Sequence, residues 1–164
     1  MSVKDRLDDA MILVKQGRWE GALCLTLIAV AATSRKRFPR ETGMTDGQAF
    51  EKYLDEDLWR HVGLGGFRGA KGVITITHRG KEFSLEHILY RHFRCELVHE
   101  ASLPSDIVFD ANSMDELSIR SGDGTGAVPL ILSTLWLQAL VTTVVCAKEN
   151  ANLFPITDAE TGKT

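Results

Sequence analysis

Apolar positions recur at helical spacing from the start of the chain. Leu7, Met11 and Val14 fall on one face of a helix over residues 3–15, which Gly17 closes. A nearly continuous apolar run from Ala22 to Ala32 lies inside a second helix, residues 19–37, stopped by Pro39. Thr45 or Asp46 is placed to cap a third helix through Phe50, Tyr53, Leu54, Leu58 and Trp59. The pattern then breaks at HVGLGGFRGAKG, whose five glycines (63, 65, 66, 69 and 72) cannot sustain a helix.

Residues 73–77, VITIT, are β-branched throughout and predict a strand. Arg79-Gly80 makes a turn and residues 81–83 a short return, which together predict a hairpin. Ser84 can cap a helix over residues 85–100, and Pro104 terminates it. Residues 106–109 and 117–120 predict a second small pair of strands, and SGDGTG a turn. Pro129 suits the first turn of a long last helix. The expected fold is mainly α, an antiparallel helical bundle of about five helices with one or two short β-hairpins. It fills a single domain over residues 1–155, and residues 156–164 form a flexible tail.

Length changes little in this picture, since 164 residues make one domain large enough to bury a core without disulfides or metal. Nineteen Lys and Arg against 22 Asp and Glu give a net charge of −3, so any nucleic-acid contact must come from a local patch. Cys24, Cys95 and Cys146 are too few and too scattered for a disulfide framework, which fits a reducing cytoplasm. The acidic N-terminus lacks the apolar stretch of a secretory signal. Residues 128–147 carry no charge over a length that could cross a bilayer. Ser133, Thr134, Gln138, Thr142 and Thr143 within it, and the lack of a second span, favour a buried helix and no membrane role.

The chemistry concentrates in LEHILYRHFRCELVHEA. On a regular helix Leu85, Ile88 and Leu89 define a buried stripe, which His92, Glu96 and His99 occupy farther along. Such groups are either satisfied by partners or line a cavity or interface. Two imidazoles and a carboxylate at i, i+4 and i+7 also match a divalent-metal site, although no HExxH word is present. His61, His78 and His87 read as exposed or loop histidines. Gly63-Leu64-Gly65 lacks both the later glycine and the preceding strand of a dinucleotide-binding loop, and residues 122–126 lack the acidic spacing of a calcium loop. Basic clusters stand at Arg68, Lys71, Arg79 and Lys81, and at Arg35, Lys36, Arg37 and Arg40.

Arg94-Cys95-Glu96-Leu97-Val98-His99, within YRHFRCELVHEASLP, resembles the Arg-x-x-x-x-His signature of the HEPN superfamily, in which the motif sits late in a helix of an antiparallel bundle. The family usually places Asn, Asp or His directly after the Arg, where this chain has Cys95. The resemblance implies a metal-independent ribonuclease without cofactor, completed across a homodimer that forms through the motif helix and part of the last helix. Its setting would be that of a toxin with an antitoxin-like protein partner. Arg94 would steady the scissile phosphate through paired donors, and His99 would move the proton. His92, Cys95 and Glu96 would support the site, and Arg91, Arg68 and Lys71 would contact the RNA or nucleotide. On an unbroken helix Arg94 and His99 stand about 140° apart, so their convergence calls for a distorted turn, the reach of Arg, or two motif helices facing each other. The same fold could instead serve as a non-catalytic nucleotide-binding, RNA-binding or dimerisation module.

Overall fold

The computed structural model describes residues 1–62, 74–110, 117–120 and 129–155. The glycine-rich segment, including Arg68 and Lys71, the SGDGTG loop and the tail lie outside the described residues. The chain is mainly helical: α1 (Val3–Lys15), α2 (Trp19–Arg37), α3 (Asp46–His61), then α4 (Leu85–Ile88), a π-helical segment (Leu89–Arg94) and α5 (Cys95–His99), and finally α6 (Leu135–Val145). α4, the π-helical segment and α5 run on as one helical rod, the motif helix.

The helix starts follow from local chemistry. Ser2 and Thr45 each form a reciprocal capping box, with Asp5 and Gln48 respectively. The Ser84 hydroxyl accepts from the His87 backbone N–H at 3.2 Å and opens the motif helix. α2 is apolar on most of its circumference and is the central element, with α1, α3, α6 and the motif helix packed on it. Its buried Thr26 and Thr33 hydroxyls donate to the carbonyls of Ala22 and Ala29, so burying them leaves no donor unmet. Trp59 meets Trp136 edge to face at 6.4 Å, and the buried Tyr53 hydroxyl donates to the Thr143 carbonyl at 2.8 Å.

Two small sheets complete the described fold. β1 (Thr75–His78) pairs antiparallel with β2 (Lys81–Ser84). Arg79 and Gly80 both take positive φ, 50° and 71°, as a two-residue turn matched to strand twist requires. The second sheet departs from expectation. β3 (Ile107–Asp110) and β4 (Ile119–Arg120) do not pair with each other; both flank β5 (Leu130–Ser133), β3 parallel and β4 antiparallel to it. Pro129 therefore precedes a strand, not a helix, and α6 begins only at Leu135. Burying Ile107, Phe109, Leu130 and Leu132 together supplies the reason, because a charge-free run without period can pair as readily as it can coil. Among the described residues no helix is long and apolar enough to cross a membrane.

Candidate functional site

The motif helix is held by a seam of Leu85, Ile88, Leu89, Phe93 and Leu97, all buried. From Leu85 onward the seam advances in steps of four, which on a regular helix would drift around the axis. The π turn takes up this drift, since each of its turns holds more residues than an α turn. As a result the buried line runs through Phe93 and Leu97, while Glu96 is half-buried and His99 exposed.

Arg94 is half-buried, with its guanidinium 5.6 Å from the Tyr90 ring centroid and one terminal nitrogen 3.9 Å from the Cys95 Sγ. Tyr90 packs in turn on Phe50 at 5.3 Å, and a Cβ on Gly47 would come within 2.9 Å of its ring, so α3 approaches closely here. The Arg94 Nε is buried without a hydrogen-bond partner, and among the described residues no carboxylate forms an ion pair with this guanidinium. Its field still reaches its neighbours, Cys24 and Asp46 among them. Burial pushes the Cys24 thiol up and Arg94 partly offsets this; the Asp46 carboxyl is held below its usual range first by Arg35 and to a lesser extent by Arg94.

His99 closes α5 beside Glu100 and Ala101, whose φ of 57° ends the helix. Among the described residues no hydrogen bond, ion pair or ring contact joins it to Arg94, which ends the π-helical segment while His99 ends α5. Arg91 is exposed on the same rod.

His92 packs on the β1–β2 pair. Its ring packs edge to face on His78 at 4.8 Å and on Phe83 at 5.7 Å, with His87 6.3 Å away. Burial, then the neighbouring His78, Arg79 and His87, push its pKa down to about 4, so it is neutral at pH 7. Among the described residues no group of three or more His, Cys, Asp and Glu side chains is arranged to hold a metal ion.

His78 was expected at the surface and is buried, at 5% exposure. The alternation Thr75-Ile76-Thr77-His78 was the available signal, since period two places His78 on the same face as buried Ile76. Its Nε2 lies 3.7 Å from the Asp106 carboxylate, too long for a hydrogen bond, and burial lowers its pKa despite that carboxylate. Asp106 is already gripped by Arg79 at 2.6 and 2.8 Å. His87 stacks on Phe83 at 5.0 Å and places Nδ1 2.9 Å from Glu51.

The basic cluster at the end of α2 serves the fold. Arg35 binds Asp46, Lys36 donates to Asn150 at 2.8 Å, and Arg37 reaches Asp57, Glu149 and Glu56 at 2.6, 2.8 and 3.3 Å. Arg40, exposed in a short 3-10 turn, forms no ion pair among the described residues. Pattern reading also missed a cleft of about 320 Å³ between α3 and the start of the motif helix, lined by Gln48, Glu51, Lys52, Asp55, Ser84 and Glu86 among others. Glu86, 2% exposed, accepts from the Trp59 indole at 3.1 Å, and burial raises its pKa.

These features define a mainly α protein whose interrupted helix carries an uncommitted guanidinium, an exposed imidazole at its end and a buried histidine cluster at its middle. Residues 2–159 match the Rv1289 family, and the chain belongs to it. No curated protein and no solved structure matches the chain.

Proposed function

We propose that the chain is a HEPN-like, metal-independent endoribonuclease acting in the cytoplasm, an antiparallel helical bundle whose site is completed across a homodimer. The observation that carries this reading is the state of Arg94: packed on Tyr90, free of any carboxylate ion pair among the described residues, and five positions before exposed His99. A guanidinium so placed has donors left for a phosphate and does not lose its charge on burial. Arg94 of one copy grips the scissile phosphate. His99 takes the proton of the ribose 2′-OH, whose oxygen attacks phosphorus, and the 5′-oxygen leaves with a proton. The products are a 2′,3′-cyclic phosphate and a 5′-hydroxyl.

One imidazole cannot serve as acid and base at once, and His92, neutral and packed on His78, is no proton donor at pH 7. Water therefore gives the leaving 5′-oxygen its proton, and each site uses one guanidinium together with the His99 imidazole of the other copy. α6 offers a further surface for pairing, since Gln138, Thr142 and Cys146 form an exposed stripe without charge. Exposed Arg91 adds a phosphate contact, and an antitoxin-like protein covering this end of the motif helix would silence the site.

The test is cleavage of a structured RNA in excess chelator. Substitution of Arg94 or His99 by Ala is expected to lower the rate at least ~100-fold each while leaving the unfolding midpoint near that of the wild type. Cleavage that survives both changes would sink the reading. The second reading, a non-catalytic nucleotide- or RNA-binding or dimerisation module, is favoured by the separation of Arg94 from His99 within one chain. It predicts RNA binding that Arg94→Ala weakens and no cleavage at all.

A further inference from the structure

We propose that the clustered imidazoles of His78, His87 and His92 form an acid-released latch holding the β1–β2 pair, and the chain around Asp106, against the motif helix. This inference is independent of the nuclease reading. Its ground is the way His92 meets both His78 and His87 edge to face, at 4.8 and 6.3 Å, while His87 and His92 also contact the Phe83 ring at 5.0 and 5.7 Å.

The charges facing this cluster are few. β1 and its turn bring His78 and Arg79, and β2 brings the Phe83 ring while Lys81 and Glu82 stand exposed. α3 brings Glu51, the motif helix His87 and Glu96, and the chain before β3 Asp106. Glu51 is engaged by His87 at 2.9 Å. Asp106 is held by both donor edges of Arg79, and at 3.7 Å makes no hydrogen bond to His78. A proton arriving on His92 or His78 therefore meets Arg79 and another imidazole, while the Asp106 carboxylate that faces both is already bound to Arg79. Buried charge of one sign is expelled in such a setting.

The direction follows from proton counting. His92 titrates near 6.5 once released and near 4 when packed, so between these values the open form binds more protons and acid drives opening. At pH 5 this favours opening about 30-fold over pH 7.5 from His92 alone. The elements released are small: two four-residue strands and the chain around Asp106, with the larger core of α1, α2, α3 and α6 elsewhere.

Hydrogen–deuterium exchange of the full chain between pH 7.5 and 5, corrected for intrinsic rates, tests the latch. Residues 74–84 and 104–110 are expected to lose protection about 30-fold while α1, α2 and α3 keep theirs, and His92→Phe is expected to flatten the response. Constant protection in the two segments, simultaneous loss throughout the chain, or a His92→Phe profile equal to the wild type would overturn it. Titration of the wild-type imidazoles by NMR needs no variant: a His92 midpoint far below 6.5 supports the latch, and an ordinary one removes it.

Discussion

Arg37 gathers more buried charge than any other residue described. Its side chain ties the end of α2 to Asp57 and Glu56 of α3 and to Glu149 beyond α6, and this fixes three segments distant in sequence. Asp57 and Glu149 hold the guanidinium above its usual pKa in spite of burial, and Arg37 in turn holds Glu149 below its own. Arg37→Ala leaves nearly buried Glu149 without its partner and Asp57 with Arg60 at 3.4 Å, and about 3–5 kcal/mol of stability should go with it, read from urea unfolding. Arg37→Lys should recover only part, because a point charge cannot bond Glu149 along one edge and Asp57 along another. Glu86 poses the opposite case. Its pKa is raised by burial, so its neutral form suits the fold and stability falls as pH rises above the ordinary carboxylate range. Glu86→Gln keeps an acceptor for the Trp59 indole and removes the charge. Denaturation midpoints at pH 4 and pH 7 should therefore separate, with the variant gaining on the wild type as pH rises. A gap that stays constant would show that folding leaves the Glu86 pKa unshifted.

Elements were legible where a few neighbouring letters decide them. Thr45 three residues before Gln48 spells a cap, and both of its hydrogen bonds form, at 3.2 and 2.9 Å. Thr45→Ala should cost about 1 kcal/mol in thermal or chemical unfolding, and a loss below a few tenths would mean that Arg35, through Asp46 and the Met44 carbonyl, already fixes this end of α3. The helical spans of α1 and α2 follow from periodicity and from Gly17 and Pro39 in the same local way. Three features were not legible. β5 is decided by its pairing with β3, more than twenty positions away, and the letters Leu130-Ile131-Leu132 carry no period to announce it. The π turn leaves no compositional mark, yet it redirects the side chains after Leu89, so Glu96 is half-buried and His99 exposed where a regular helix puts both on the buried stripe. His78 was misread because its partners, His92 and the Asp106 region, come from elements that only the tertiary fold assembles. Arg94 and His99 were found by spacing, but spacing along one rod says nothing about a second rod.

For the whole molecule, the composite site makes a demand that a single-chain site does not. On the proposed nuclease reading, Arg94 and His99 of one chain would serve different active sites of a two-fold dimer, because an ideal helix sets them about 140° apart. Each site would then take its guanidinium from one copy and its imidazole from the other. Arg94→Ala and His99→Ala chains are each expected to be inactive alone. Unfolded together and refolded in equal amounts, half of the dimers are mixed. In each mixed dimer one site joins two mutated positions and the other joins an intact Arg94 with an intact His99. Random pairing should therefore restore about a quarter of the wild-type rate. The restored rate should rise with the square of protein concentration below the dimer dissociation constant and vanish when either variant is left out. A site built within one chain restores nothing under any mixing ratio, and sedimentation of the same samples separates this result from a failure to pair. Recovery near one quarter would place the two groups on opposite copies, whereas zero recovery from well-formed dimers would break the link between the motif helix and the pairing of chains.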